Sequence, residues 1–232
     1  MSGHGKRHAF ILGGTGAVGQ QLLRYLVESD KFAKVHVPTR RALTLESKKI
    51  VTYDFSDLFR PWQLDVQVTD FFYCFGSTLN KAGDQDKFRD LELRVAHEAL
   101  VVAKQMGARR FYLVSAQGVA PHSWIPYLRV KAEVEKVLKD HFFQAFFIYR
   151  PSLLLAPRPE LRLGELCAQK TLGPMAGILQ RYLPKRAPVQ ADQVARAIMS
   201  DVVKGDEGMF VRENHQIIEL ASLVKTVKNR AG

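Results

Sequence analysis

An apolar run that stops at glycine and restarts as a helix is the feature that most narrows what this chain can fold into. Ala9 to Leu12 is continuously apolar and reads as a buried strand. Gly13-Gly14-Thr15-Gly16-Ala17-Val18-Gly19 follows at once, and Gln20 to Glu28 then carries Leu22, Leu23, Leu26 and Val27 at helical spacing. In such a strand–turn–helix unit Gly13, Gly16 and Gly19 have separate jobs. One permits the tight turn, one lets the backbone approach a pyrophosphate, and one lets helix and strand pack closely. The N–H groups that open the helix face a phosphate, whose charge the helix dipole favours. The spacing alone also fits a plain loop. The setting between strand and helix makes a dinucleotide the expected ligand of Gly13, Thr15, Gly16, Ala17, Val18 and Gly19.

Further along, strands and helices alternate. Val35 to Val37 reads as a second strand, and Pro38-Thr39-Arg40-Arg41 follows where an adenosine ribose would lie. An acidic residue there accepts from the 2′-hydroxyl of NAD, whereas arginine suits the extra phosphate of NADP. Residues 32–43 contain no Asp or Glu, so Arg40 and Arg41 predict NADP(H). Lys49 to Tyr53 is a short third strand ending at Asp54-Phe55, with Asp54 placed either to receive the adenine amino group or to begin a turn. Thr69 to Phe75 is an apolar, central fourth strand, and its end, Gly76-Ser77-Thr78, would lie against the cofactor. Phe88 to Met106 predicts a long helix closed by Gly107, with His97 as an ordinary helical residue. Arg110 to Ser115 is a fifth strand. A helix capped by Ser123 follows to about Lys139, with Pro126 fitting only near its start. Phe143 to Tyr149 is a sixth strand, bounded by Arg150-Pro151.

This alternation predicts an α/β fold, a doubly wound parallel sheet with helices on both faces and ligands at the carboxyl ends of the strands. Gly13, Arg40, Asp54, Gly76, Ser115 and Pro151 all stand at such ends. Residues 1–232 read as a single nucleotide-binding domain. Within it, 152–190 forms a small lid on the substrate side, with short helices between Leu161 and Leu183. Ala191-Asp192 opens a further helix, Met209 to Val211 an edge strand, and Glu219 to Lys228 a last helix.

Composition limits the partners. Thirty-four Lys and Arg against 23 Asp and Glu give +11, but the basic residues are scattered in ones and twos. With no basic tail or basic helix, the charge argues for solvated surface and a phosphate-rich cofactor rather than nucleic acid. Cys74 and Cys167 make neither a metal set nor a disulfide framework, so no metal is expected. Met1 to His8 is polar and too short for a signal peptide, and Phe142 to Tyr149 is far below the ~20 residues needed to cross a bilayer. A cytoplasmic protein without membrane contact is expected.

Tyr127 and Lys131 carry the chemistry. Four residues apart on a helix, they share one face. Carbonyl reduction leaves an oxyanion that must be protonated. Free tyrosine titrates near ~10, and one cation at about 4 Å with an effective dielectric near 20 offsets roughly 4 kcal/mol, enough to bring it toward neutrality. Of seven tyrosines only Tyr127 has a lysine four residues on, and it follows strand-end Ser115 by 12 residues. Ser115 can hydrogen-bond the substrate oxygen.

Gly13-x-x-Gly16-x-x-Gly19, Ser115, Tyr127-x-x-x-Lys131 and Arg150-Pro151-Ser152 resemble the short-chain dehydrogenase/reductase superfamily in its atypical or extended branch. More narrowly, Thr39-Arg40-Arg41, Lys81-Ala82-Gly83, Tyr127-Leu128-x-Val130-Lys131-x-Glu133-Val134-Glu135 and Arg150-Pro151-Ser152-Leu153-Leu154-Leu155 resemble the Tat-interacting-protein oxidoreductases and their bacterial relatives. The resemblance spans most of residues 8–203. It implies a Rossmann fold holding NADP(H), with Ser115, Tyr127 and Lys131 catalytic, Lys131 also on the nicotinamide ribose, and Pro151, Ser152, Leu153 and Leu154 on the nicotinamide side. The superfamily often has an asparagine in its fourth helix that completes a proton relay. Around Glu92, where that position falls, this chain has none. The relay is then missing, or it runs through water or Glu92. The expected function is an NADPH-dependent oxidoreductase acting on a small carbonyl or quinone-like molecule. The alternative is a non-catalytic NADPH-sensing regulatory protein with a protein partner.

Overall fold

Buried strands separated by amphipathic helices build a seven-stranded parallel sheet. The computed structural model describes residues 6–59, 67–77, 84–139, 141, 143–155 and 187–228. In chain order the elements begin with β1 (Arg7–Leu12), α1 (Ala17–Glu28), β2 (Phe32–Thr39), β3 (Ile50–Asp54) and a 3-10 turn at Phe55–Phe59. Then come β4 (Asp70–Tyr73), α2 (Gln85–Gln105), β5 (Arg110–Val114), α3 (Pro126–Lys139) and β6 (Ala145–Arg150). The chain ends with β7 (Leu154–Leu155), β8 (Val189–Gln190), α4 (Ala191–Lys204), β9 (Gly208–Glu213) and α5 (Asn214–Lys228). The sheet order is β3-β2-β1-β4-β5-β6-β9, and β7 and β8 form a separate parallel pair. From β1 the chain winds outward through β2 and β3, then returns to β4 and winds the other way. The crevice of a doubly wound sheet opens at that reversal, between the ends of β1 and β4.

Helices cover both faces. Leu22, Leu23 and Leu26 of α1 pack with Val194, Ile198 and Val202 of α4 and with Ile217 and Leu220 of α5. Val95, Ala99 and Ala103 of α2 pack with Val134 and Leu138 of α3 on the opposite face. Aromatic side chains hold the central strands in register. Phe72, Tyr112, Phe147 and Phe210 are cross-strand partners on β4, β5, β6 and β9, with successive ring centroids 4.6, 5.2 and 5.0 Å apart. Phe10, Phe71 and Phe111 make a second row on the other face, at 4.8 and 5.0 Å. Aromatic cross-strand pairs contribute roughly 0.2–1 kcal/mol each beyond an alanine pair, and a one-residue slip would turn each row to the wrong face.

The six predicted strands and the helices between them are present, with shifted ends. β2 begins at Phe32, because Phe32 is buried against Phe72 and Arg7 lies over its ring. Pro126 is the first helical residue of α3, where a missing N–H costs nothing, so that turn is regular rather than irregular. Ser123 accepts from the Ile125 N–H at 3.2 Å and so shapes the turn before α3 instead of capping it. Gly107 ends α2 with φ of 70°. α5 starts at Asn214, five residues before the expected Glu219. The expected lid helices, Leu161 to Leu183, together with Cys167 and Thr78, lie outside the described residues.

A polar row crosses the other end of the sheet. His8 Nδ1 lies 3.2 Å from His36 Nε2, and His36 Nδ1 lies 2.8 Å from the Tyr53 hydroxyl. Burial pushes the His36 imidazole down to about 4, helped by neighbouring His8 and Lys34. The folded state therefore binds fewer protons than the unfolded one between the usual imidazole value of about 6.5 and that lowered value. The associated stability is fully present above that window and is lost as pH falls through it, by up to about 1.4 kcal/mol per pH unit. We expect the urea midpoint to fall on acidification from about pH 7 to about pH 5, and His36→Gln to flatten the fall. An equally steep fall in the variant would show that the protons bind elsewhere.

Candidate active site

The glycine loop sits directly on the end of β4. Gly13 has φ of +88°, and a Cβ built on it would lie 2.6 Å from the Cys74 carbonyl carbon and oxygen. A Cβ on Gly19 would lie 2.1 Å from the Gly13 carbonyl oxygen. Gly13 thus makes the tight turn and Gly19 the close helix–loop contact. Gly16 is the helix N-cap, its own N–H donating to Gly13 O at 2.9 Å. The first N–H groups beyond it, those of Ala17 and Val18, have no intrahelical acceptor and open α1 toward the crevice.

Beside this loop lies a cavity of about 190 Å³ lined by Gly14, Thr15, Gln20, Leu23, Arg24 and the segment Arg41–Leu45. The two predicted arginines part company. Arg41 faces the cavity, while the Arg40 guanidinium lies over the Phe55 ring, 5.1 Å from its centroid. The Thr39 hydroxyl braces their turn by donating to Arg41 O at 2.7 Å. Arg24 brings a second cation to the cavity that reading the strand ends missed; its only sequence signal is its place one turn beyond Gln20 on α1. Asp54 begins the next turn, accepting from the Ser56 N–H at 2.7 Å and from its hydroxyl at 2.6 Å. The turn reading is thus realised through one carboxylate oxygen, Oδ1.

Tyr127 and Lys131 come together on α3, beside the turn after β4. The Lys131 ammonium is 5.9 Å from the Tyr127 ring centroid. A Cβ on Gly76 would lie 3.5 Å from the same nitrogen. The Tyr127 ring is stacked on Phe88 of α2, with centroids 6.0 Å apart. Lys131 is not an isolated cation. Its Nζ is 2.8 Å from Glu92 Oε2, both side chains are fully buried, and the other Glu92 oxygen accepts the Ser77 N–H at 2.5 Å. Next to Glu92, burial foremost and the carboxylate charge second raise the Tyr73 hydroxyl well above its usual pKa. That hydroxyl has no hydrogen-bond partner among the described residues.

Ser115 is buried at the end of β5, and its hydroxyl donates to Glu135 Oε1 at 2.7 Å. Arg150 clasps the same carboxylate at 3.0 and 2.7 Å, and Lys139 adds a third cationic contact at 3.1 Å. Burial alone would raise the Glu135 carboxyl, but hydrogen bonds from Arg150, Ser115 and Lys139 outweigh it and hold it below its ordinary value. With its proton committed, Ser115 offers a substrate lone pairs, not a donor. After β6, Pro151 O accepts the Gln117 N–H at 2.8 Å, Ser152 N–H donates to Asn214 Oδ1 at 2.8 Å, and Leu153 O accepts the Val189 N–H at 3.0 Å. Leu154 continues into β7. His97 is exposed on α2 and touches none of this. Cys74 packs beside Gly13, and burial pushes its thiol up to about 12. Among the described residues no three His, Cys, Asp or Glu side chains gather as metal ligands, and no helix is long and apolar enough to cross a membrane.

The strand order and the glycine loop at its reversal define a Rossmann-type doubly wound fold. No family model matches it. It is 31% identical over 222 residues to Protein HTATIP2 of Rattus norvegicus, covering 92% of this chain and 89% of that protein. It is 30% identical over 225 residues to the mitochondrial Protein FMP52 of Lodderomyces elongisporus, covering 88% and 90%. The chain therefore belongs to the HTATIP2/FMP52 family, the Tat-interacting-protein group. Among solved structures, MoeE5 in complex with UDP-glucose and NAD matches 94% of this chain and 82% of its own, with TM-score 0.64 and 14% identity. Human epimerase family protein SDR39U1 with NADPH matches 89% and 74%, with TM-score 0.59 and 10% identity. These two likenesses bear on the fold alone. The fungal relatives are named mitochondrial proteins, which overturns the expectation of a cytoplasmic one.

The glycine geometry separates two kinds of variant. Gly13→Ala meets both a left-handed backbone angle and the Cys74 backbone, so it should cost the fold about 2 kcal/mol or more. Gly16→Ala needs its neighbour, Gly13 O at 3.2 Å, to give only slightly, and should unfold within about 1 kcal/mol of the unsubstituted chain. Denaturant titration distinguishes them, and equal losses would contradict the packing described.

Proposed function

We propose that this chain is an NADPH-dependent reductase of a small carbonyl or quinone-like compound. The observation that carries the reading is the Tyr127–Lys131 pair, set beside Gly76 at the carboxyl end of the parallel sheet. The residues present fit a dinucleotide. The loop at Gly13 and Gly19 is too close-packed for any side chain, and the opening of α1 leaves N–H groups for a pyrophosphate. Arg41 and Arg24 face one cavity, where a 2′-phosphate would find two cations. Gly76 and Ser77 would border the nicotinamide half, with Pro151 to Leu154 across from them. When bound, the nicotinamide would supply the hydride. Tyr127 would then donate its phenolic proton to the substrate oxygen, and Lys131 would hold the ribose and stabilise the resulting phenolate. The names of the fungal relatives support a mitochondrial setting for this activity.

One observation favours a second reading, a non-catalytic NADPH-binding regulatory protein. The Ser115 hydroxyl is given to Glu135 and would have to turn away to orient a substrate. Reductase turnover with a panel of carbonyls and quinones separates the two, since a sensor would show none while binding a partner in an NADPH-dependent way.

For the reductase, Tyr127→Phe should lower kcat about 10²–10⁴-fold with little change in NADPH affinity. An active protein whose Tyr127→Phe form turns over undiminished would sink the mechanism. Cofactor choice is expected to follow Arg41 more than Arg40, because Arg40 is spent on Phe55. NADPH should bind more tightly than NADH by about 1.5–3 kcal/mol per charge-assisted contact, and Arg41→Ala should erase most of that gap while leaving NADH affinity nearly unchanged. Calorimetric titration of both nucleotides checks this, and equal affinities in the unsubstituted protein would remove the case for a phosphate selector.

A further inference from the structure

Lys131 meets a buried carboxylate where a lone cation would be expected. Glu92 projects from α2, a different element, and its two oxygens divide between Lys131 Nζ at 2.8 Å and the Ser77 N–H at 2.5 Å. One carboxylate thus ties the helix that carries Tyr127 to the turn that follows β4. It also places a negative charge against the cation that lies 5.9 Å from the Tyr127 ring centroid. Two other ion-pair groups flank these helices. Arg89 and Glu133 pair with each other across the exposed side of α2 and α3, with Nε–Oε2 2.9 Å. Glu135 is held by Arg150 and Lys139. Tyr73 of β4, beside Glu92, stays neutral because burial and that carboxylate both oppose its ionisation.

We propose that Glu92 is a positioning residue of this site: it fixes Lys131 against the Gly76–Ser77 turn and opposes the lysine's charge, which sets the pH range over which Tyr127 donates. In water such a pair would hardly matter. Between side chains 2% and 0% exposed, solvent screening is small, so the carboxylate offsets the lysine's charge where the lysine meets the Tyr127 ring. The kinetic consequence rests on the reductase reading, but the electrostatic one does not.

The test uses the full chain and two independent readouts. In the first, the pH dependence of kcat is followed for NADPH-driven reduction of a carbonyl. Glu92→Gln removes the charge and keeps one acceptor oxygen, which can serve the Ser77 N–H or Lys131 but not both. Its alkaline limb should move to lower pH by about one unit, because losing a nearby negative charge eases loss of the phenolic proton. Glu92→Asp should return the limb toward that of the unsubstituted protein. In the second readout, tyrosinate absorbance is titrated without substrate, and Tyr127 is isolated by subtracting the Tyr127→Phe counterpart of each protein. The same downward displacement is expected there. If the unsubstituted protein turns nothing over, the reductase reading fails while this titration still decides the role of Glu92. If Glu92→Gln does not fold, Lys131→Met is compared with the Glu92→Gln/Lys131→Met double variant, which leaves no lone buried charge. The tyrosinate step should then lie higher in the single variant. Superimposable curves in whichever pair is measured, with only the melting temperature changed, would make Glu92 a structural ion pair and overturn the proposal.

Discussion

The structure depends on how closely two backbones approach where the sheet reverses. β1 and β4 are neighbours, yet the chain goes out through β2 and β3 before it returns to β4, and the loop leaving β1 must pass over the end of β4. It does so at Gly13, where any side chain would strike the Cys74 backbone at 2.6 Å. Everything placed at the crevice inherits this contact. It aims the start of α1, and Gly19 then lets that helix lie against the loop. It also sets the level of the turn at Gly76 and Ser77, against which Lys131 is buried. The aromatic rows deeper in the sheet hold the strands in register. The glycines decide whether their ends can form a common floor.

On that floor the electrostatics differ from what a Tyr-x-x-x-Lys spacing implies. A unit charge at the 5.9 Å separating Lys131 from the Tyr127 ring would act with roughly 3 kcal/mol at an effective dielectric near 20. That is smaller than the roughly 4 kcal/mol available at 4 Å, and Glu92 subtracts from it. Removing one member of a buried pair typically costs about 3–5 kcal/mol, so Lys131 leaves Glu92 only when something takes its place there.

What was legible in the chain was whatever a short window contains. The glycine loop, the existence and order of the strands and the one-turn spacing of Tyr127 and Lys131 are local patterns that the structure keeps, while the strand ends shift by up to three residues. What was not legible was partnership between distant helices. Glu92 and Lys131 are 39 residues apart, and Ser115 and Glu135 are 20 apart. Neither pair has a periodic signature. Only the absence of an asparagine drew notice to Glu92. The two adjacent arginines read alike as a phosphate selector, but successive residues at a strand end point different ways, and Phe55 claims one of them. Arg24 belongs to the same cavity yet sits in the polar face of an amphipathic helix, where arginine is unremarkable by pattern alone.

The engagement of Ser115 follows from the same separation of local and distant forces. Glu135 lies one turn beyond Lys131 on α3 and is drawn inward by Arg150, the residue that ends β6. Arg150 in turn reaches Glu213 on β9 at 3.1 Å, and Asn214 beside it holds Ser152 and donates to Ala187 O at 2.9 Å. The carboxylate that occupies Ser115 is therefore one end of a chain of contacts running to the sheet edge and the start of α5. A hydroxyl facing a carboxylate already satisfied by two cations loses little when it turns away, since the charge it leaves stays neutralised. The arrangement around Ser115 can thus open at small cost, whereas the buried Glu92–Lys131 pair opens only when a replacement partner takes over.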